Sequence, residues 1–99
     1  MQALIRGYSG LVDHQLIYKY AKNIYMRYHV SAQMLIVIGK RMRKIREEQK
    51  RDQIEIAEDA GIDKSYFARI ERGEANPTLE VLYAVLRALH AKSSDILPF

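Results

Sequence analysis

The 99-residue chain contains no cysteine. That excludes disulfides and thiolate metal sites and favours a reducing, cytoplasmic setting. Proline is scarce, with two residues in all, while 48% of the chain is hydrophobic, a composition that suits a compact helical protein better than a disordered one. No apolar run approaches the roughly eighteen residues needed to span a bilayer. The N-terminus lacks a signal peptide's order of basic residues, unbroken apolar stretch and small-residue cleavage site. Convincing strand alternation is missing as well. His14, His29 and His90 are scattered without metal-ligand spacing, no serine sits in a nucleophile elbow, and there is no phosphate-binding glycine loop. No catalytic, cofactor or metal site is therefore expected, and Glu55, Glu58 and Asp59 read as the solvated face of a short helix.

What the chain does have is positive charge in one place. The formal net charge is +4, yet residues 37–51 carry seven Lys/Arg against two acids, whereas residues 52–99 carry five against nine. The basic run GKRMRKIREEQKR, which includes Arg43, suits a protein that meets a polyanion on one side only.

That run belongs to a helical pattern. From Ser31, Met34, Leu35, Ile38, Met42 and Ile45 recur at three- and four-residue steps for about twenty residues. Gly39 interrupts them at about the 1 kcal/mol that a mid-helix glycine costs. Asp52 caps a second helix from Gln53 to about Ala60. Gly61 supplies a turn, Asp63 caps a third helix from Lys64 to about Arg72, and Gly73 ends it. Thr78 caps a fourth helix with Leu79, Leu82, Val85, Leu86 and Leu89 on its buried side. A short fifth starts at Ser93-Ser94-Asp95. The architecture is an all-α bundle of five helices.

Residues 53–72, QIEIAEDAGIDKSYFARIER, read as a helix-turn-helix. Ala57 allows a close helix crossing, and Phe67 and Ile70 form one buried face. Lys64, Ser65, Ala68, Arg69 and Arg72 fall on the other face, where a major groove could meet them.

Residues 1–30 form a distinct Tyr-rich extension ahead of a domain over 31–99. Five of the seven tyrosines lie within 8–28, and a helix from about Leu11 to His29 is expected to pack on the bundle or against a partner. Its tyrosines surround the helix rather than forming a clean stripe, so no membrane partner is expected.

From Ile38 to Leu97 the chain resembles the Cro/C1-type (XRE) helix-turn-helix regulators, which include phage repressors. The matching residues are IGKRMRKIRE, Gln53 with Ile56-Ala57, Gly61, the run Phe67-x-x-Ile70-Glu71-Arg72-Gly73, and Asn76-Pro77-Thr78-Leu79. Ile62-Asp63-Lys64-Ser65-Tyr66 followed by Ile70-Glu71-Arg72-Gly73 also looks like the controller proteins of restriction–modification systems. The resemblance implies a five-helix lambda-repressor-like DNA-binding bundle, here with an extra N-terminal helical segment. It departs from the pattern at His90, where relatives commonly carry glycine, and at Leu86, where alanine is usual.

By the same resemblance Lys64, Ser65 and Arg69 read base edges, with Arg69 able to grip guanine O6 and N7. Ser65 could serve a base or a phosphate. Gln53 resembles a phosphate-contacting glutamine, with buried capping of the helix end as the other reading. Arg43, Arg72 and Asn76 would support the DNA backbone. Tyr66 either packs near the backbone or a thymine methyl, or is a partly buried structural residue. Arg46 and Glu71 match a structural ion pair.

The implied partner is double-stranded DNA, a near-palindromic operator bound by a homodimer. The dimer surface is expected from Leu89, Ile96, Leu97 and Phe99 or from the N-terminal segment. The alternative is an antitoxin-type protein that also binds a toxin partner through residues 11–30.

Overall fold

The computed structural model describes residues 29–99. Expectations for the Tyr-rich segment, including a partner surface there, fall outside the described residues. The described chain forms α1 (Ala32–Glu48), α2 (Gln53–Ala60), α3 (Lys64–Glu71), α4 (Leu79–Ala88) and α5 (Ser93–Ile96), with no strand among them.

Each of the first four helices starts on a side-chain oxygen. Ser31 Oγ accepts the Met34 N–H at 3.1 Å, Asp52 Oδ1 that of Glu55 at 2.9 Å, Asp63 Oδ2 that of Ser65 at 3.1 Å, and Thr78 Oγ1 that of Val81 at 3.2 Å. Glu55 returns the contact by accepting the Asp52 N–H, which makes a reciprocal capping box.

The same four helices also end alike. Lys50, Gly61, Gly73 and His90 have φ of 55°, 70°, 74° and 54°. Each donates its N–H to the carbonyl three residues back, at 2.9–3.2 Å. The next residue donates to the carbonyl five back: Arg51 to Arg46, Ile62 to Ala57, Glu74 to Arg69 and Ala91 to Leu86. This paired closure satisfies the terminal carbonyls and reverses the chain in two or three residues. Glycine reaches that conformation freely, whereas Lys50 and His90 hold it at roughly 1–2 kcal/mol each. His90 therefore keeps the left-handed geometry rather than changing how α4 ends.

Between these ends the apolar stripes meet in one core. Ile38 and Met42 of α1, Ile56 and Ala57 of α2, Phe67 and Ile70 of α3, Val85, Leu86 and Leu89 around α4, and Ile96 of α5 are all buried. A fully buried side chain of Phe67 or Met42 size contributes about 1.5–3 kcal/mol. Two polar side chains from the α1–α2 connection tie down the end of α4. Arg51 Nη1 donates to the Ala88 carbonyl and Gln49 Nε2 to that of Leu89, each at 2.7 Å.

Three sequence expectations change. Leu79, placed on the buried side of α4, is 82% exposed, while Val81 and Leu82 of the same turn pack on the core. Met34 and Leu35 are half-buried rather than core. Leu89 and Ile96, named for one of two possible dimer surfaces, are fully buried within the subunit, as Leu89 should be on the buried side of α4.

Gly39 has a role that periodicity did not reveal. A Cβ built on it would stand 2.3 Å from the Glu71 carbonyl oxygen and 2.6 Å from that of Ile70. The backbone of α1 thus rests directly on the last carbonyls of α3. Helix propensity alone predicts that Gly39→Ala stabilises the protein by about 1 kcal/mol. The clash is with backbone, which cannot turn aside, so we expect destabilisation of about 1–3 kcal/mol or more, measured as a lower urea midpoint.

Candidate nucleic-acid interface

The interface is set by how α3 is held. Its inner face, Phe67 and Ile70, is anchored in the core, and its outer face carries Lys64, Ser65 and Arg69, all exposed. Tyr66 is half-buried and packs against the core, which leaves its ring on the structural side of the helix. Arg72, one residue past the end of α3, and Asn76 in the following loop are exposed.

The C-terminal end of α3 is fixed by a buried polar cluster. Arg46 meets Glu71 side-on, with Nε to Oε2 at 2.7 Å and Nη2 to Oε1 at 3.0 Å. Gln53 Nε2 donates to the same Oε1 at 2.8 Å, and Arg46 Nη1 donates to the Arg51 carbonyl at 2.9 Å. The side chain of Glu71 is 2% exposed and that of Arg46 11%. The hydrogen bond to Glu71 raises the Arg46 pKa above its ordinary value, so the guanidinium stays charged. Among the described residues no buried side-chain polar atom lacks a partner.

Gln53 does not cap its helix end, a role that Asp52 takes. One amide hydrogen is committed to Glu71, while the residue itself opens α2, where unpaired helix-end N–H groups attract anions. Around it, Arg43, Arg46, Asp52, Gln53, Ile54 and Lys64 line an open cleft of about 380 Å³. That cleft brings together Arg43 from α1, the start of α2 and the first residue of α3. The linear sequence gave no sign that Arg43 and Lys64 share a cleft.

Three arginines are tethered at the surface. Arg43 Nε pairs with Glu47 at 2.8 Å. Arg72 Nη2 pairs with Glu74 at 3.0 Å, and Arg69 Nη2 donates to the Glu74 backbone carbonyl at 3.4 Å. The Arg72–Glu74 hydrogen bond raises the arginine's pKa and lowers the carboxylate's. No role falls to Glu74 from sequence alone. The signal that could have found it is the charge pair Arg72-x-Glu74 across a glycine turn.

Comparison with known proteins agrees with this geometry. The helix-turn-helix family matches residues 42–97. The immunity repressor protein of Bacillus phage phi105 is 43% identical over 61 residues, covering 62% of this chain and 42% of the repressor. The chain therefore spans well under half of that relative. Among solved structures, the restriction-modification controller protein C.AhdI from Aeromonas hydrophila superposes with a TM-score of 0.62 and 28% identity, covering 64% of this chain and 96% of that one. The controller protein C.Esp1396I, solved as a tetramer with its natural 35-base-pair operator, gives 0.58 and 26%, covering 62% and 80%.

Two outcomes follow. Glu71→Ala strands a buried guanidinium and should cost about 3–5 kcal/mol, whereas the double change Arg46→Met/Glu71→Leu should cost clearly less; chemical denaturation of both measures this. Glu74→Gln removes a carboxylate beside Arg72. It should tighten binding to any duplex by at most about fivefold, the worth of one exposed ion pair, read from titrations at several salt concentrations.

Proposed function

Because the chain belongs to the helix-turn-helix family, matched over more than half of its length, we propose that it is a sequence-specific double-stranded DNA-binding transcriptional regulator of the Cro/C1 type. It acts as a dimeric repressor or autoregulator and reads the major groove with α3. The observation that carries this is the division of α3 into a core-anchored face, Phe67 and Ile70, and an exposed face of Lys64, Ser65 and Arg69. A helix held so firmly from one side can enter a groove without losing its own packing.

In this reading α2 crosses the phosphate backbone. Its N-terminus, Gln53 and Arg43 meet phosphate in the cleft, and Arg72 and Asn76 make further backbone contacts. Arg69 and Lys64 supply donors for guanine, Arg69 in a bidentate fork and Lys64 as a point charge.

One subunit offers too few contacts for the usual specific affinity, so two subunits bind half-sites about one helical turn apart. Leu79 and Tyr83, both exposed on α4, offer an apolar surface for pairing, with the Arg87 guanidinium 6.0 Å from the Tyr83 ring centroid. The protein is read as a cytoplasmic, nucleoid-associated binding protein and not an enzyme. No helix among the described residues is long and apolar enough to cross a membrane. The named relatives are a repressor and controller proteins, which favours the regulator over the antitoxin reading.

The test is a titration of a duplex from upstream of the protein's own gene against a scrambled duplex, at two salt concentrations, with a Lys64→Ala/Arg69→Ala variant alongside. We expect the wild type to prefer the native duplex by at least about a thousandfold, the lower end for specific regulators, and the variant to lose most of that preference. Equal affinity for both duplexes would overturn the reading.

A further inference from the structure

We propose that Asp63 fixes Ser65 as a hydrogen-bond acceptor, so that α3 selects, at one base pair of each half-site, a base that donates an amino hydrogen into the major groove. The inference rests on the regulator reading and deepens it. Ser65 Oγ donates to Asp63 Oδ2, and the same carboxylate oxygen accepts the Ser65 backbone N–H at 3.1 Å. A serine hydroxyl has one proton and two lone pairs. With the proton given to a carboxylate, only lone pairs face outward. The Ser65 hydroxyl also holds the Asp63 carboxyl below the usual carboxylate range, so it is ionised at neutral pH and keeps accepting.

The hydrogen-bond chemistry then limits what Ser65 can meet. A phosphate oxygen is an anionic acceptor; it has nothing to donate and is repelled by Asp63. Guanine O6 and thymine O4 are also acceptors. To serve them Ser65 would exchange a charge-assisted bond for a neutral one about half as strong. The amino donors on base edges in the major groove are adenine N6 and cytosine N4. Ser65 thus reads adenine or cytosine, and of the base and phosphate roles left open by its sequence it takes the first. Lys64 and Arg69 carry donors only, so the exposed face of α3 presents an acceptor between two cations. The half-site should accordingly pair a guanine for Arg69 with an amino-bearing base for Ser65.

The experiment is selection from a randomised duplex pool with the wild type, Ser65→Ala and Asp63→Asn, each checked for fold by circular dichroism. Titrations follow on the selected duplex with the identified base replaced by an analogue lacking only its amino group. We expect one position per half-site where the wild type favours adenine or cytosine by about three- to tenfold, the worth of one net hydrogen bond. Ser65→Ala should lose that preference and keep its guanine. Asp63→Asn keeps a capping oxygen but not the charge, and should broaden that one position to admit guanine or thymine. Loss of the amino group should weaken the wild type by the same factor and leave Ser65→Ala unmoved. A Ser65→Ala profile identical to the wild type, or a Ser65-dependent position that favours guanine or thymine, overturns the proposal while the regulator reading stands. A wild type that enriches no sequence overturns both.

Discussion

The junction of α1 with the end of α3 is the constraint on which the rest depends. An isolated eight-residue helix is too short to persist in water, so α3 exists only because its surroundings hold it. Phe67 and Ile70 hold it by burial, and Gly39 lets the α1 backbone come down onto its last carbonyls. Glu71 then accepts from Arg46 and Gln53 where water is excluded. A buried ion pair of this kind contributes little net stability, since desolvation offsets most of its attraction. What it supplies is geometry. The fork of Arg46 fits Glu71 in one orientation, and Gln53 joins the start of α2 to the same oxygen, so both helices of the motif are registered on one carboxylate.

That arrangement also governs the electrostatics of the outer surface. The buried acid is matched inside the protein and does not repel an approaching polyanion, while Arg43 of the basic run on α1 lines the cleft beside Lys64. Exposed carboxylates pair with Arg43 and Arg72. Such pairs are worth at most about 1 kcal/mol in water, so they cost little to break.

How far the sequence could be read follows from how local each cause is. Asp52, Asp63 and Thr78 were legible as caps because a cap bonds backbone two or three residues away. Gly61 and the Phe67–Ile70 spacing were legible for the same reason. Arg46 and Glu71 lie 25 residues apart, and only the family resemblance brought them together. Gly39 looked like a weak point because its neighbour is the backbone of another helix, which no periodicity in α1 encodes. Leu79 fitted the stripe of α4 but is exposed, while Val81 and Leu82 of the same turn meet the core. Leu89 and Ile96 were assigned to a partner because an apolar residue reads the same whether it faces its own core or another subunit. Ser65 was legible as a residue on the outer face of α3, yet its bond to Asp63 depends on a side-chain proton that spacing cannot locate.

The left-handed residues at Lys50 and His90 set how much heat the domain withstands. A domain of about this size has a stability of roughly 0.05–0.15 kcal/mol per residue, and 1 kcal/mol corresponds to about 4–8 °C in melting temperature. Two non-glycine residues in a conformation that glycine adopts freely hold the melting point several degrees below what the same backbone permits. Both positions are exposed and neither lies on α2 or α3, so the thermal tolerance of this domain can drift over generations without altering what it reads.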